Sequence, residues 1–103
     1  MPLKSLYDIG DAPRFSATFE VDGVATNPTA TLFKFKNPAG TETTYTYGVD
    51  VELVRDSTGQ FHVDLALDTA GVWHVRWVGT GSAAGAEEYS VKVGRSAFDS
   101  PLL

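Results

Sequence analysis

From Phe15 to Val21 every second residue is apolar: Phe15, Ala17, Phe19 and Val21 alternate with Ser16, Thr18 and Glu20. A period of two predicts an extended strand with one buried face. Asp22-Gly23 supplies a turn dipeptide, and Asn27-Pro28 breaks pairing in a loop over 25–28. Alternation resumes over 30–36, with Thr31, Phe33 and Phe35 on one side and Leu32, Lys34 and Lys36 on the other. Asn37-Pro38-Ala39-Gly40 fits a type I turn, proline second and glycine fourth. A third strand is predicted over 41–47, rich in threonine and tyrosine, with Thr43, Tyr45 and Tyr47 on one face. After a break at 48–50, residues 51–55 read as a short strand ended by Asp56-Ser57-Thr58-Gly59. Phe61, Val63, Leu65 and Leu67 then alternate with His62, Asp64 and Ala66. In Asp68-Thr-Ala-Gly-Val-Trp-His-Val-Arg-Trp77 a tight turn leads into a strand whose Trp73, Val75 and Trp77 oppose His74 and Arg76. Residues 79–86 read as a flexible glycine-rich loop tip, and Tyr89, Val91 and Val93 mark the last strand.

Seven short strands with turn signals between them, in a chain of 103 residues, predict an all-β fold: a single immunoglobulin-like β-sandwich. The expected organisation is an irregular N-terminal arm (1–12), the sandwich (13–94) and a C-terminal tail (95–103). Both flanks lack strand alternation yet carry apolar residues: Leu3, Leu6, Tyr7 and Ile9 before the sandwich, Phe98, Leu102 and Leu103 after it. These seven are the expected partner-binding residues. Burying a Leu or Phe against a neighbour contributes about 1.5–3 kcal/mol, enough to offset the entropy of ordering an arm.

Composition narrows the function classes. With 43% hydrophobic and 20% charged residues the chain has the makings of a packed core. A net charge of −5 disfavours direct nucleic-acid binding. The absence of cysteine excludes thiol catalysis and cysteine-based metal sites, and favours folding in a reducing compartment. No segment has the apolar core of a signal peptide or approaches the roughly 20 apolar residues of a membrane span. The start at Met1 leads us to expect a free-standing product.

No catalytic, cofactor or metal site is expected. Gly79-Thr-Gly-Ser-Ala-Ala84 loosely matches a dinucleotide fingerprint, but a strand follows it where a helix is required. His62 and His74 fall on the outward phase of strands expected in opposite sheets, and read as surface histidines. Asp56, Asp64 and Asp68 lack calcium-loop spacing and read in part as turn residues. Glu87 and Glu88, adjacent on a strand, face opposite ways, and no Gly-x-Ser-x-Gly nucleophile turn occurs. Tyr45, Tyr47, Trp73 and Trp77 are expected in the core, with a sugar-stacking platform as the alternative.

The Asp-x-Ala-Gly-x-Trp-x-Val run resembles the start of the sixth strand in bacterial and viral immunoglobulin-like domains. Val75 stands about where the disulfide-linked branch carries cysteine, so that branch is excluded. Three further segments, YDIGD with RFSATF, NPAGTETTYTYG and VRDSTGQFHVDL, resemble small immunoglobulin-like virion structural proteins of tailed bacteriophages, over roughly residues 7–93. The resemblance implies a non-enzymatic virion protein assembled in the bacterial cytoplasm. A head-decoration or head-accessory role on the capsid surface is expected, in contact with the major capsid protein, other virion proteins or further copies of itself, and with neither nucleic acid nor membrane. The alternatives are a head-to-tail or tail accessory protein, and a carbohydrate-binding or adhesion module.

Overall fold

The alternating segments pair into sheets in the computed structural model, which describes residues 7–94. Among the described residues ten strands occur: β1 (Tyr7–Asp8), β2 (Arg14–Thr18), β3 (Glu20–Val21), β4 (Val24–Ala25), β5 (Ala30–Lys36), β6 (Glu42–Thr46), β7 (Leu53–Ser57), β8 (Gln60–Asp64), β9 (Gly71–Thr80) and β10 (Gly85–Gly94). They form a five-stranded sheet in the order β1-β10-β9-β5-β6, a three-stranded sheet β2-β8-β7, and a small hairpin β3-β4. All pairings are antiparallel except β1 with β10, where Tyr7 lies beside Val93 and Asp8 beside Gly94.

The turn chemistry works largely as the sequence predicts. Asp22 and Gly23 both have positive φ, 52° and 81°, the combination a two-residue hairpin with the native twist requires. The Gly40 amide donates to the Asn37 carbonyl at 2.8 Å, closing the proline turn between β5 and β6. Gly59, at φ +73°, ends the β7–β8 turn where a Cβ would sit 2.5 Å from the Phe19 carbonyl oxygen, so only glycine fits.

The core lies between the two larger sheets. Phe33, Trp73, Val75, Trp77, Val91 and Val93 face inward from the five-stranded sheet, and Phe15, Leu53, Phe61 and Val63 from the other. Phe15 bridges them, with ring centroids 6.0 Å from Phe33 and 6.2 Å from Tyr89. Trp77 packs on Phe33 at 4.7 Å and Trp73 stacks on Phe35 at 6.1 Å. The Trp73 indole donates to the Thr69 carbonyl at 2.9 Å, tying the strand to the turn before it. Trp77 Nε1, by contrast, is buried without a partner in hydrogen-bond geometry among the described residues.

Three expectations change. The stretch expected as one strand from Phe15 to Val21 divides: β2 joins the three-stranded sheet, and β3 turns away to pair with β4, which takes Ala25 from the expected 25–28 loop and leaves 26–28 irregular. The break sits at Phe19, whose amide donates to Gly59 and whose carbonyl accepts from Thr26. Part of the expected N-terminal arm is built into the sandwich. Tyr7 and Ile9 pack against the core, and the Ile9, Gly10 and Leu67 amides bond Gly94, Leu67 and Asp11 as the chain crosses between sheets. Finally, much of the expected 79–86 loop is ordered pairing. β9 runs to Thr80, a 3-10 turn spans Gly81–Ala83, Ser82 bonds Thr29 and Asn27, and Ala83 is buried.

Candidate interaction surfaces

Each large sheet has an outward face, and the chemistry-bearing residues divide between them. On the three-stranded sheet His62 holds the centre, with Ser16 beside it on β2 and Val54 on β7. Its flat neighbours on both sides and the overlying Asp56 leave it only 7% exposed, which corrects the expectation of a surface histidine. His62 Nδ1 lies 2.8 Å from both oxygens of Asp56, and Nε2 lies 3.9 Å from Asp64. Asp64 in turn accepts from Arg14 Nε at 2.9 Å and Nη2 at 3.1 Å, a two-pronged carboxylate pair. The Arg14 hydrogen bond holds the Asp64 carboxyl below the usual aspartate value, and Asp64 raises the Arg14 guanidinium in return.

The three aspartates are each engaged within the protein. Asp56 is taken up by His62, Asp64 by Arg14, and Asp68 accepts from the Thr69 hydroxyl. Among the described residues no three histidine, aspartate or glutamate side chains converge in a way that would hold a metal. His62 and His74 stand on different sheets, as expected.

The outward face of the five-stranded sheet is organised in rows set by the strand register. One row runs Thr44, Lys34, Arg76, Glu88, and the next Glu42, Lys36, His74, Ser90. A shallow depression among them is lined by Lys34, Lys36, Glu42, His74, Arg76 and Glu88, so these side chains share one surface. Arg76 pairs with Glu88 at 3.0 Å, and the Ser90 hydroxyl lies 2.7 Å from His74 Nδ1. Among the described residues Lys34, Lys36 and Lys92 join no ion pair.

Two features lie where β6 passes to β7. A cavity of about 260 Å³ is lined by Asn27, Pro28, Thr31, Tyr47, Arg55 and Phe61. Tyr45 half-buries against Phe35 as a core residue, and burial raises its hydroxyl pKa, with Glu52 and Asp50 adding to the rise. Tyr47 departs from the expected core placement: it sets its ring edge against Phe61 but stays 43% exposed. Next to it the loop presents Val49 and Val51, 77% and 89% exposed. The two tyrosines therefore do not form one exposed platform.

Of the expected partner-binding residues, Tyr7 and Ile9 are turned to the protein's own core, because β1 pairs with β10 instead of standing free. Leu3, Leu6, Phe98, Leu102 and Leu103 lie outside the described residues. The cationic block on the five-stranded sheet went unassembled in the sequence. Lys34 and Lys36 are visibly on one strand face, but their meeting with Arg76 and His74 depends on a register that joins residues about forty positions apart. No protein-family model matches the chain, and no curated protein is significantly similar to it.

Proposed function

We propose that the chain is an immunoglobulin-like, non-enzymatic structural module that decorates the head of a tailed-phage virion by binding the capsid surface. The observation that carries the fold half of this reading is the strand order. A five-stranded sheet β1-β10-β9-β5-β6 faces a three-stranded sheet β2-β8-β7, and a first strand pairs in parallel with the last. Two facing, mainly antiparallel sheets of short strands support an immunoglobulin-like sandwich. The virion half rests on the sequence segments named above, which coincide with turns and core strands of this sandwich. A structural role also suits the surface. His62 is engaged by Asp56 and Asp64 by Arg14, and the depression on the five-stranded face is shallow.

The edges of β6, β2 and β7 and the loop bearing Val49 and Val51 are the ordered surfaces open to a neighbour in this reading. Co-sedimentation of the purified chain with particles assembled from the major capsid protein encoded beside it tests the proposal. Saturable binding in a fixed ratio to that capsid protein is expected. Binding to a tail-tube protein in its place would move the chain to the tail, and binding to neither would overturn the virion reading.

A further inference from the structure

The outward face of the five-stranded sheet breaks a rule that the rest of the molecule keeps. Lys34 lies directly opposite Arg76, and Lys36 directly opposite His74. Like charges facing each other across antiparallel strands, as Lys34 and Arg76 do, destabilise the pairing. Side chains two apart on a strand are about 6.7 Å apart and neighbouring strands about 4.8 Å. The four nitrogen-bearing side chains therefore form a tight block over β5 and β9. Glu88 pairs with Arg76, Glu42 stands opposite Lys36 without an ion pair among the described residues, and Lys92 lies further along the same face on β10. This block sits on a chain whose net charge is −5. A local conflict such as the Lys34–Arg76 opposition, only partly offset within the fold, is characteristic of functional surfaces.

We propose that this face docks a carboxylate-rich surface of a partner protein. The arrangement of charge identifies the occupant. Glu42 and Glu88 stand at opposite corners of the block, one beside Lys36 and the other beside Arg76. A partner with central carboxylates flanked by cations complements this mixture of signs, whereas a long uniform polyanion meets an acidic corner on either side. The block is also only two side chains deep along the strands, too short to follow a phosphate backbone. A second copy of this face centred on the block is equally unsuitable. A two-fold axis through the middle of the block, along or across the strands, lays the cations of β5 and β9 on one another. The exposed charges then steer association and set its register more than they add affinity.

The proposal stands independently of a virion role. Its test is a titration followed by amide NMR, using a synthetic extended peptide that alternates glutamate with threonine and ends in a lysine at each side. The expected result is saturable shifts centred on Lys34, Lys36, His74 and Arg76, weakened by raising salt. In the doubly substituted Lys34→Glu, Lys36→Glu chain, binding should fall by at least about tenfold while the dispersed amide spectrum of the fold remains. Absence of shifts on this face would overturn the proposal, as would undiminished binding by that variant. Tighter binding of a DNA duplex than of the peptide would assign the face to nucleic acid and overturn it equally. A chain that binds the peptide but no capsid or tail protein keeps this inference and loses the virion role.

Discussion

On the outward face of the three-stranded sheet the described charges are matched: Arg14 grips Asp64, and Asp56 covers His62. On the outward face of the five-stranded sheet Lys34, Lys36 and Lys92 join no ion pair among the described residues, and two cross-strand pairs set cation against nitrogen base or cation. Both faces come from the same kind of alternating strand, with the same buried aliphatic and aromatic residues behind them. The difference lies in what each face must settle internally. His62 is buried at the middle of a narrow sheet, so its polar ring needs a partner from the protein. The lysines are reached by water, so the fold tolerates leaving them unpaired, at little gain or loss. One face is therefore part of the stability of the domain, and the other is free to serve something outside it.

Substitutions can break or sharpen that contrast. The largest effect belongs to the inner side shared by neither face. Trp77→Ala, at a side chain 1% exposed and packed on Phe33, should cost about 3–5 kcal/mol in denaturant unfolding. Trp77→Phe should lose less, because it also removes the unpartnered indole N–H. Next comes Asp56→Ala, which strips the buried His62 ring of its close acceptor. A loss of about 1–3 kcal/mol is expected by chemical denaturation. A neutral result would mean that the three-stranded face is no more committed to stability than the other.

Lys34→Ala combined with Lys36→Ala should change stability by no more than about 0.5 kcal/mol, with relief of like-charge opposition favouring a small gain. A loss as large as that of Asp56→Ala would erase the contrast and place the lysines among the fold's own supports. The smallest effect is read most directly by titration. Arg14→Ala should return the Asp64 carboxyl upward toward its ordinary value of 3.8, followed by side-chain NMR against pH. The sign follows from linkage. A carboxyl lowered in the folded state adds stability above its unfolded value, and that share is lost as pH falls through the lowered folded value. The wild-type chain should thus lose a small increment of stability in that acid window, and the Arg14→Ala chain should not. Two raised tyrosines act at the other end of the scale. Burial of Tyr45 and Tyr89 lifts both above 10.0, so the stability they supply is present below that value and is lost as pH climbs past it.

Where the sequence was sufficient, the reason is local. Trp73, Val75 and Trp77 alternate with His74 and Arg76, and that period alone sends the first three inward and the others outward. Asp22-Gly23 and the Asn37–Gly40 turn are likewise decided by residues in contact with their own neighbours. All-β character, the β5 and β8 cores and the turn between β5 and β6 were thus legible before any coordinates. What escaped depends on partners distant along the chain. Tyr7 and Ile9 have no alternation long enough to signal a strand, and only the open edge of β10 turns Tyr7–Asp8 into β1. His62 has the outward phase of a surface residue, and only Ser16 on β2 together with Val54 and Asp56 on β7 bury it. The charge block is the same kind of event. The sequence determined which side of each strand carries Lys34, Lys36, His74 and Arg76, because side-chain alternation is a property of one strand. The sheet register decided that they meet, because hydrogen-bonded pairing sets Lys34 opposite Arg76 and Lys36 opposite His74 where β5 lies beside β9.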